Sequence, residues 1–257
     1  MEARRPLSAV LIAYNEAHRI AACLESLAFA DEIVVVDSGS DDGTREVALR
    51  YTDKVYQVPW RGFGPQKQAA VELAGHDMIL NVDCDERVTP ELAREIQALL
   101  GSKEMAVAYR VPRRTFLGAK EIRHCGWYPD RTVRLFDRAR AHFGQELVHE
   151  GVVVNGEIGR CRGHLLHYSF AGLTDLLFKM NRYTDLSARQ MFQAGRRCAL
   201  LDLTVRPSAA FFKTFFLKLG FLDGVEGLEV SVANAMSTFA KYMKLRELES
   251  TNPPPER

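Results

Sequence analysis

The fold is decided by the stretch Met78-Ile79-Leu80-Asn81-Val82-Asp83-Cys84-Asp85-Glu86. Its first five residues form a mostly apolar run with the length of a buried strand, and two carboxylates follow at the carboxyl end. Side chains two residues apart on an extended chain point the same way, so Asp83 and Asp85 could share one divalent cation. Mg²⁺ or Mn²⁺ held by few protein oxygens keeps positions for a diphosphate. The alternative is an acidic loop before a helix that begins near Thr89 and Pro90.

The chain before this stretch alternates strand and helix patterns. This alternation predicts right-handed crossovers and a mostly parallel sheet, which binds ligands at the carboxyl ends of its strands. Three polar clusters fall at such ends: Tyr14-Asn15-Glu16, Asp37 and Asp83-Cys84-Asp85. The predicted strands cover 7–13, 33–36, 54–59 and 78–82, and the predicted helices follow the first strand, begin near Ser40–Thr44 and cover 66–74.

Asp37 stands where the second strand stops and is expected to point out of the sheet edge toward a base or a ribose. The alternative is turn and cap chemistry, which Ser, Asp and Gly residues typically provide. That alternative is favoured for Asp41, Asp42 and Thr44.

The second half of the chain has a different pattern. Residues 105–168 read as short strands and turns, and Asn155-Gly156 predicts a tight hairpin. A long amphipathic helix is expected from Leu173 to about Gly195. The tail 251–257, which contains three consecutive prolines, is expected to be disordered.

Residues 211–222 are aromatic and basic and predict a further helix. Its large apolar residues would cover one arc, with Lys213 and Lys218 at or beyond the edges. This pattern is typical of a helix lying in a membrane interface, and packing in a core or a dimer is the alternative.

Composition narrows the class of protein. The chain has 257 residues, 47% hydrophobic content and a net charge of +1, which argues against a general nucleic-acid binder. Its five scattered cysteines fit a reducing cytoplasm better than a disulfide framework. The N-terminus shows no signal-peptide pattern, and no apolar run reaches the roughly 18 residues that span a bilayer.

The motifs Ala9–Glu16, Asp37 with its following turn, and Asp83–Glu86 resemble, in this order and spacing, the inverting glycosyltransferases of family 2 with the GT-A fold. The segments Gln66-Lys67, Gly126–Asp130, Arg134–Phe136 and Val148–Glu150 are similar to bacterial lipopolysaccharide core β-glycosyltransferases, including β-1,4-glucosyltransferases. The resemblance implies an α/β GT-A catalytic domain over 1–170, with a nucleotide-binding half (1–100) and an acceptor half (101–170). A helical C-terminal extension over 171–250 and the tail 251–257 would follow.

The resemblance also implies roles for single residues. Asp85 would hold the divalent cation, and Glu150 would be the general base, with Glu146 and Asp130 as alternatives. Surface ion pairing stays open for the two arginines of the donor site, and core packing stays open for Trp127. The donor-binding residues would be Tyr14, Glu16, Asp37, Lys67, Asp83, Arg131 and Arg134.

These implications predict a metal-dependent inverting enzyme. It would transfer a hexose, glucose in the first instance, from a UDP-sugar to a lipopolysaccharide-core or other lipid-linked glycan acceptor. It would work in the cytoplasm as a peripheral protein on the inner face of the cytoplasmic membrane, without a nucleic-acid partner. The rival predictions are a nucleotidyltransferase and a catalytically idle membrane-surface scaffold of the same fold.

Overall fold

The computed structural model describes residues 4–144 and 151–251, which form two compact units. The first unit contains the chain up to Arg114 together with Asp130–His167. The second contains Thr115–Pro129 together with the chain from Tyr168 onward.

The first unit opens with the predicted strand and helix alternation. Strands β1 to β4 lie side by side in the order β3-β2-β1-β4, and all their pairings are parallel. The polar segments at their carboxyl ends therefore share one edge. The elements are β1 (Leu7–Ala13), α1 (Ile20–Ser26), β2 (Glu32–Asp37), α2 (Thr44–Ala48), β3 (Val55–Gln57), α3 (Phe63–Glu72) and β4 (Met78–Asn81).

The rest of this sheet contains antiparallel strand pairs, so the sheet as a whole is mixed. The sheet continues from β4 in the order β8-β6-β12-β5, and β8 runs antiparallel to both β4 and β6. These elements are β5 (Glu86–Val88), α4 (Pro90–Leu100), β6 (Ala108–Leu117), β7 (Lys120–Ile122), β8 (Asp130–Asp137), β9 (Ala141–Phe143), β10 (Val152–Val154), β11 (Ile158–Arg160) and β12 (Leu165–Phe170).

The hairpin predicted at Asn155-Gly156 is wrong. Strand β10 pairs with β9 in a separate two-stranded sheet, whereas β11 joins the main sheet parallel to β6. Gly156 has a φ of +145°, and a Cβ there would lie 2.8 Å from Nη2 of Arg140. Glycine is needed here because the backbone has a positive φ and Arg140 packs closely against it, not because the residue belongs to a two-residue turn.

Alternation along β1 accounts for the core. Leu7, Leu11 and their neighbours on one face pack with α1 and α4, whereas Val10 on the other face packs with Val34, Val36 and Val71. Both faces of the parallel half are thus covered, as a buried parallel sheet requires.

The second unit is mainly helical. A hairpin between the end of β6 and β7 is followed by α5 (Leu173–Gln193), α6 (Leu200–Phe212) and α7 (Val225–Thr251). Ala188 of α5 and Tyr242 and Leu245 of α7 form part of its core. Within the described residues, no helix combines the length and apolar character needed to cross a membrane.

The single helix predicted over 211–222 is wrong. Helix α6 ends at Phe212, a π-helical turn covers Lys213–Leu217, and a 3₁₀ turn covers Gly220–Asp223. Leu219 between these turns has a left-handed φ of +55°, which an α-helix cannot contain. The apolar side chains are still partly accessible, since Phe212, Phe216, Leu217 and Leu222 are 45–72% exposed.

Candidate active site

Asp83 lies just beyond β4 between two cations. Its Oδ1 is 2.9 Å from Nζ of Lys67 on α3, and its Oδ2 accepts a 2.6 Å hydrogen bond from Nη2 of Arg134 on β8. Burial alone would raise the pKa of Asp83, but Arg134 and Lys67 outweigh it and hold the pKa well below its usual value. Asp83 is therefore a fixed anion whose charge is already balanced.

Arg134 is a buried link rather than a surface group. Its Nη1 donates to Oδ1 of Asn81 at 2.9 Å, and its Nη2 also donates to Oε1 of Glu86 at 2.6 Å. Arg134 is 4% exposed and Glu86 is fully buried. The structure thus gives Arg134 a role in positioning Asp83, and its contact with a donor stays a prediction.

Asp85 has looser surroundings. Its Oδ2 lies 3.5 Å from Nε2 of His167 and 4.0 Å from Nη1 of Arg19. Burial and the charge of Asp83 oppose ionisation, but His167 and Arg19 prevail and lower the pKa of Asp85. Strand β12 brings His167 here because it pairs with β5 and sets His167 opposite Glu86.

Asp85 and His167 fit a divalent cation bound mainly by its substrate. Carboxylate oxygen and imidazole nitrogen are both metal ligands, and the distances from Asp85 to His167 and Arg19 are 3.5 and 4.0 Å, longer than those of a tight ion pair. The described residues hold no group of three or more His, Cys, Asp or Glu side chains arranged around one metal position. A cation here would take its remaining ligands from diphosphate and water, as Mg²⁺ commonly does.

The loops after β1 and β2 are tied together. The backbone N–H of Asn15, which has a φ of +56°, donates to Oγ of Ser40 at 2.9 Å. The N–H of Glu16 donates to Oγ1 of Thr44 at 2.7 Å, and the Glu16 carboxylate pairs with Arg19. Tyr14 is 59% exposed at the start of this loop, so its ring is accessible to a ligand.

Asp37 faces its own turn instead of pointing out of the sheet edge. It is 2% exposed, and its Oδ2 accepts hydrogen bonds from the N–H groups of Gly39 (2.9 Å) and Ser40 (3.0 Å). The Ser40 hydroxyl donates to the other oxygen. The turn needs this acceptor because its N–H groups are otherwise unpaired. Base recognition by Asp37 stays a prediction.

A cavity of about 550 Å³ borders Asp83 in the first unit. Apart from Asp83, every charged side chain that lines the cavity is cationic. Such a lining suits a ligand with several negative charges. Gly151, the residue after Glu150 in the sequence, also lines it. The cations are Lys67, Arg110, Arg113, Arg131 and Arg134.

Glu150, the predicted general base, lies outside the described residues, as do Glu146 and His149. The third candidate, Asp130, is described. Its Oδ2 accepts a 2.9 Å hydrogen bond from Nε of Arg113, which binds it to the neighbouring strand.

Sequence reasoning missed His167 as a partner of Asp85, and it missed Asn81, Arg113 and Arg19. Asn81 carried a detectable signal, because a polar residue inside an apolar strand must find a buried partner. His167 carried none, since its position depends on the pairing of β12 with β5.

The family model of glycosyl transferase family 2 matches residues 8–156. The chain belongs to this family. It is also 32% identical over 252 residues to the lipopolysaccharide core biosynthesis glycosyltransferase LpsC of Rhizobium meliloti, with 93% of this chain and 92% of LpsC covered. An uncharacterized glycosyltransferase of Rickettsia conorii is 31% identical, with 96% and 92% covered.

A solved structure confirms the fold of this family 2 glycosyltransferase. The structure of S. aureus TarS 1-349 in complex with UDP-GlcNAc superposes with a TM-score of 0.51 at 15% identity, and 98% of this chain and 93% of TarS are covered. At this identity the likeness shows the fold alone. The predicted GT-A fold with a helical C-terminal region is confirmed. The predicted glycosyltransferase activity is also confirmed.

Proposed function

We propose that this enzyme transfers a hexose, with glucose as the first candidate, from a UDP-sugar to a lipopolysaccharide-core or related lipid-linked glycan, with inversion at the anomeric carbon. The observation that carries this proposal is Asp83, two residues before Asp85, in the wall of a cavity that is also lined by five cationic side chains. Such a cavity suits a nucleoside diphosphate. LpsC, which is named for lipopolysaccharide core biosynthesis, supports the acceptor class.

The donor would be held from several sides. Tyr14 and Glu16 lie on the loop after β1 and would face the nucleoside, and Asp37, at the end of β2, would fix the neighbouring loop through its hydrogen bonds to Gly39 and Ser40. Lys67 and Arg131 line the cavity and would neutralise the diphosphate. Asp83 would orient the ribose or the sugar, since its carboxylate is fixed by Lys67 and Arg134.

A divalent cation would be held by Asp85 and His167. When bound, it supplies positive charge that stabilises the departing diphosphate. In the absence of a metal, His167 and, to a smaller extent, Arg19 at 4.0 Å would keep the Asp85 carboxylate ionised.

Inversion requires a base that removes the acceptor hydroxyl proton during direct displacement. Glu150 is proposed for this role because the next residue, Gly151, lines the cavity, whereas Asp130 is bound by Arg113. An α-linked donor would then give a β-linked product.

Association with the inner face of the cytoplasmic membrane is proposed through the end of α6 and the π-helical turn. Phe212 and Phe216 are 57% and 45% exposed, and Lys213 directly follows Phe212 in the sequence. Exposed aromatic rings beside a basic residue suit the interface of an anionic bilayer.

The test is a donor screen that measures nucleoside diphosphate release with Mn²⁺ or Mg²⁺ and a core oligosaccharide. Release from UDP-glucose that depends on both cation and acceptor supports the proposal. Tight UDP binding without release from any donor would favour the idle scaffold.

A further inference from the structure

The second unit contains a cavity of about 290 Å³ that the proposed donor site does not include. This volume is close to the lower end of the range of about 300–1,000 Å³ for small-molecule sites. Its walls come from the segment 125–127, the end of β12, α5, α7 and Lys218. Because all of these belong to one unit, the cavity is formed within that unit.

The cavity has an aromatic wall. The rings of Trp127 and Phe170 pack with centroids 5.3 Å apart at an angle of 31°. Tyr183 at the rim is 64% exposed. On α7, Asn234 and Ser237 add an amide and a hydroxyl group to the lining. Aromatic faces beside such polar groups suit a sugar ring, which has apolar C–H faces and polar edges.

Lys218 supplies a positive charge at this wall. Its side chain lies over Gly126, where a Cβ would overlap the ammonium and come within 2.7 Å of Cδ. Among the described residues, no Asp or Glu lines the cavity beside Lys218. A second lysine, Lys179, also lines it, but Asp175 lies 3.8 Å from its Nζ and the Ser169 carbonyl accepts from it.

The backbone around Lys218 is unusual. Cys125 and Leu219 have left-handed φ values of +58° and +55° although neither is glycine. The N–H of Cys125 donates to the carbonyl of Lys218 at 3.0 Å, and the π-helical turn 213–217 directly precedes Lys218. Left-handed non-glycine residues and π-helical turns both concentrate at functional sites, where they position side chains.

We propose that this cavity binds an anionic sugar residue of the acceptor, with the sugar ring against Trp127 and a phosphate or carboxylate on Lys218. The inference rests on the proposed function, because it assigns the cavity to the glycan acceptor. It narrows the acceptor class to glycans that carry a phosphorylated or acidic sugar.

The test uses Trp127 as the reporter. The chain has two tryptophans, so Trp60→Phe leaves Trp127 as the only one. Glucose 6-phosphate and glucuronate are titrated into this variant while its fluorescence is recorded, with glucose and inorganic phosphate as comparisons. Ligand-observed saturation-transfer NMR of the same sugars gives a second readout that does not depend on the tryptophan.

We expect saturable binding of the anionic sugars, with weaker binding of glucose and of phosphate. Lys218→Ala should weaken binding about tenfold or more, as loss of a charge-assisted hydrogen bond does. Lys213→Ala is the matched control, because Lys213 does not line the cavity. In the acceptor reaction, Lys218→Ala should raise KM for an anionic acceptor and leave kcat nearly unchanged.

Three results would overturn the inference: no binding by either readout, equal affinity in Lys218→Ala, or a response to phosphatidylglycerol vesicles but not to the sugars. UDP binding is measured in the same variants by calorimetry. If the wild-type protein does not bind UDP, only the proposed function is contradicted. The inference about the cavity is then still tested, because the sugar titration does not require a donor.

Discussion

At the scale of single residues, Asp83 and Asp85 differ although they are two positions apart. Asp83 contacts Lys67 and Arg134 at 2.9 and 2.6 Å, so its charge is balanced within the protein. Asp85 has its nearest cationic partners at 3.5 and 4.0 Å. The carboxylate with the weaker partners is the one that can take up a cation at small cost.

Asp85→Asn is therefore expected to abolish the effect of Mn²⁺ on UDP binding, because the amide loses the charge that attracts the cation. Calorimetric titration of UDP into the protein with and without Mn²⁺ measures this effect on UDP affinity. Asp77→Asn is the matched control, since the Asp77 side chain is 78% exposed and pairs only with Arg138 in the described contacts. An unchanged response of Asp85→Asn to Mn²⁺ would remove Asp85 from the metal site.

Arg134 and Arg131 lie three residues apart but should respond differently to substitution. Arg134→Met leaves Glu86 buried without this partner, so the free energy of unfolding should fall by about 3–5 kcal/mol, as for a broken buried ion pair. Arg131→Met changes an exposed side chain, so stability should stay within about 0.5 kcal/mol while KM for the donor rises. Urea unfolding and donor kinetics separate the two, and equal losses of stability would contradict the distinction.

At the scale of secondary-structure elements, the parallel strands have a polar site at one end and a polar anchor at the other. Glu32 begins β2, and its carboxylate accepts from the hydroxyl of Ser8 on β1, from Lys54 before β3, and from the N–H of Gly75 before β4 at 2.7 Å. One carboxylate thus joins the amino ends of four strands. The active-site carboxylates lie at the opposite ends.

Glu32→Gln is expected to lower the free energy of unfolding by about 1–3 kcal/mol at pH 7. Burial alone would raise the pKa of Glu32, but Lys54, Ser8 and Gly75 lower it on balance. A lowered pKa means that this stabilisation is present above the ordinary glutamate pKa and is lost as the pH falls through the folded-state value. The difference between variant and wild type should therefore shrink in acid. An equal difference at pH 7 and pH 3.5 would contradict this account.

The end of α6 and the π-helical turn are expected to bind anionic membranes. Phe212→Glu with Phe216→Glu should abolish co-sedimentation with phosphatidylglycerol liposomes, and salt should weaken wild-type binding only partly. Leu49→Glu with Leu73→Glu adds the same charge at exposed apolar positions of the first unit and serves as the control. Wild-type protein that stays in the supernatant, with a mass that depends on concentration, would assign this surface to a dimer.

At the scale of the whole molecule, the sequence predicted what local patterns determine. Apolar runs located β1, β2 and β4, and the polar residues after them located the edge of the sheet that carries the site. Pairing between distant segments was not predictable, so the partner of β11 and the approach of His167 to Asp85 were missed. The helical pattern over 211–222 failed because Leu219 adopts a left-handed conformation that no periodicity shows.

The central claim is inverting transfer of a hexose from a UDP-sugar to a core glycan. The most direct measurement is proton NMR of the glycan product after reaction with UDP-α-glucose, the divalent cation and a core oligosaccharide, using wild type and Glu150→Gln. We predict a new β-anomeric signal with the wild type, and formation at least about 10²-fold slower with the variant, as for loss of a general base. An α-anomeric product, or UDP release without any new glycosidic bond, would contradict the account.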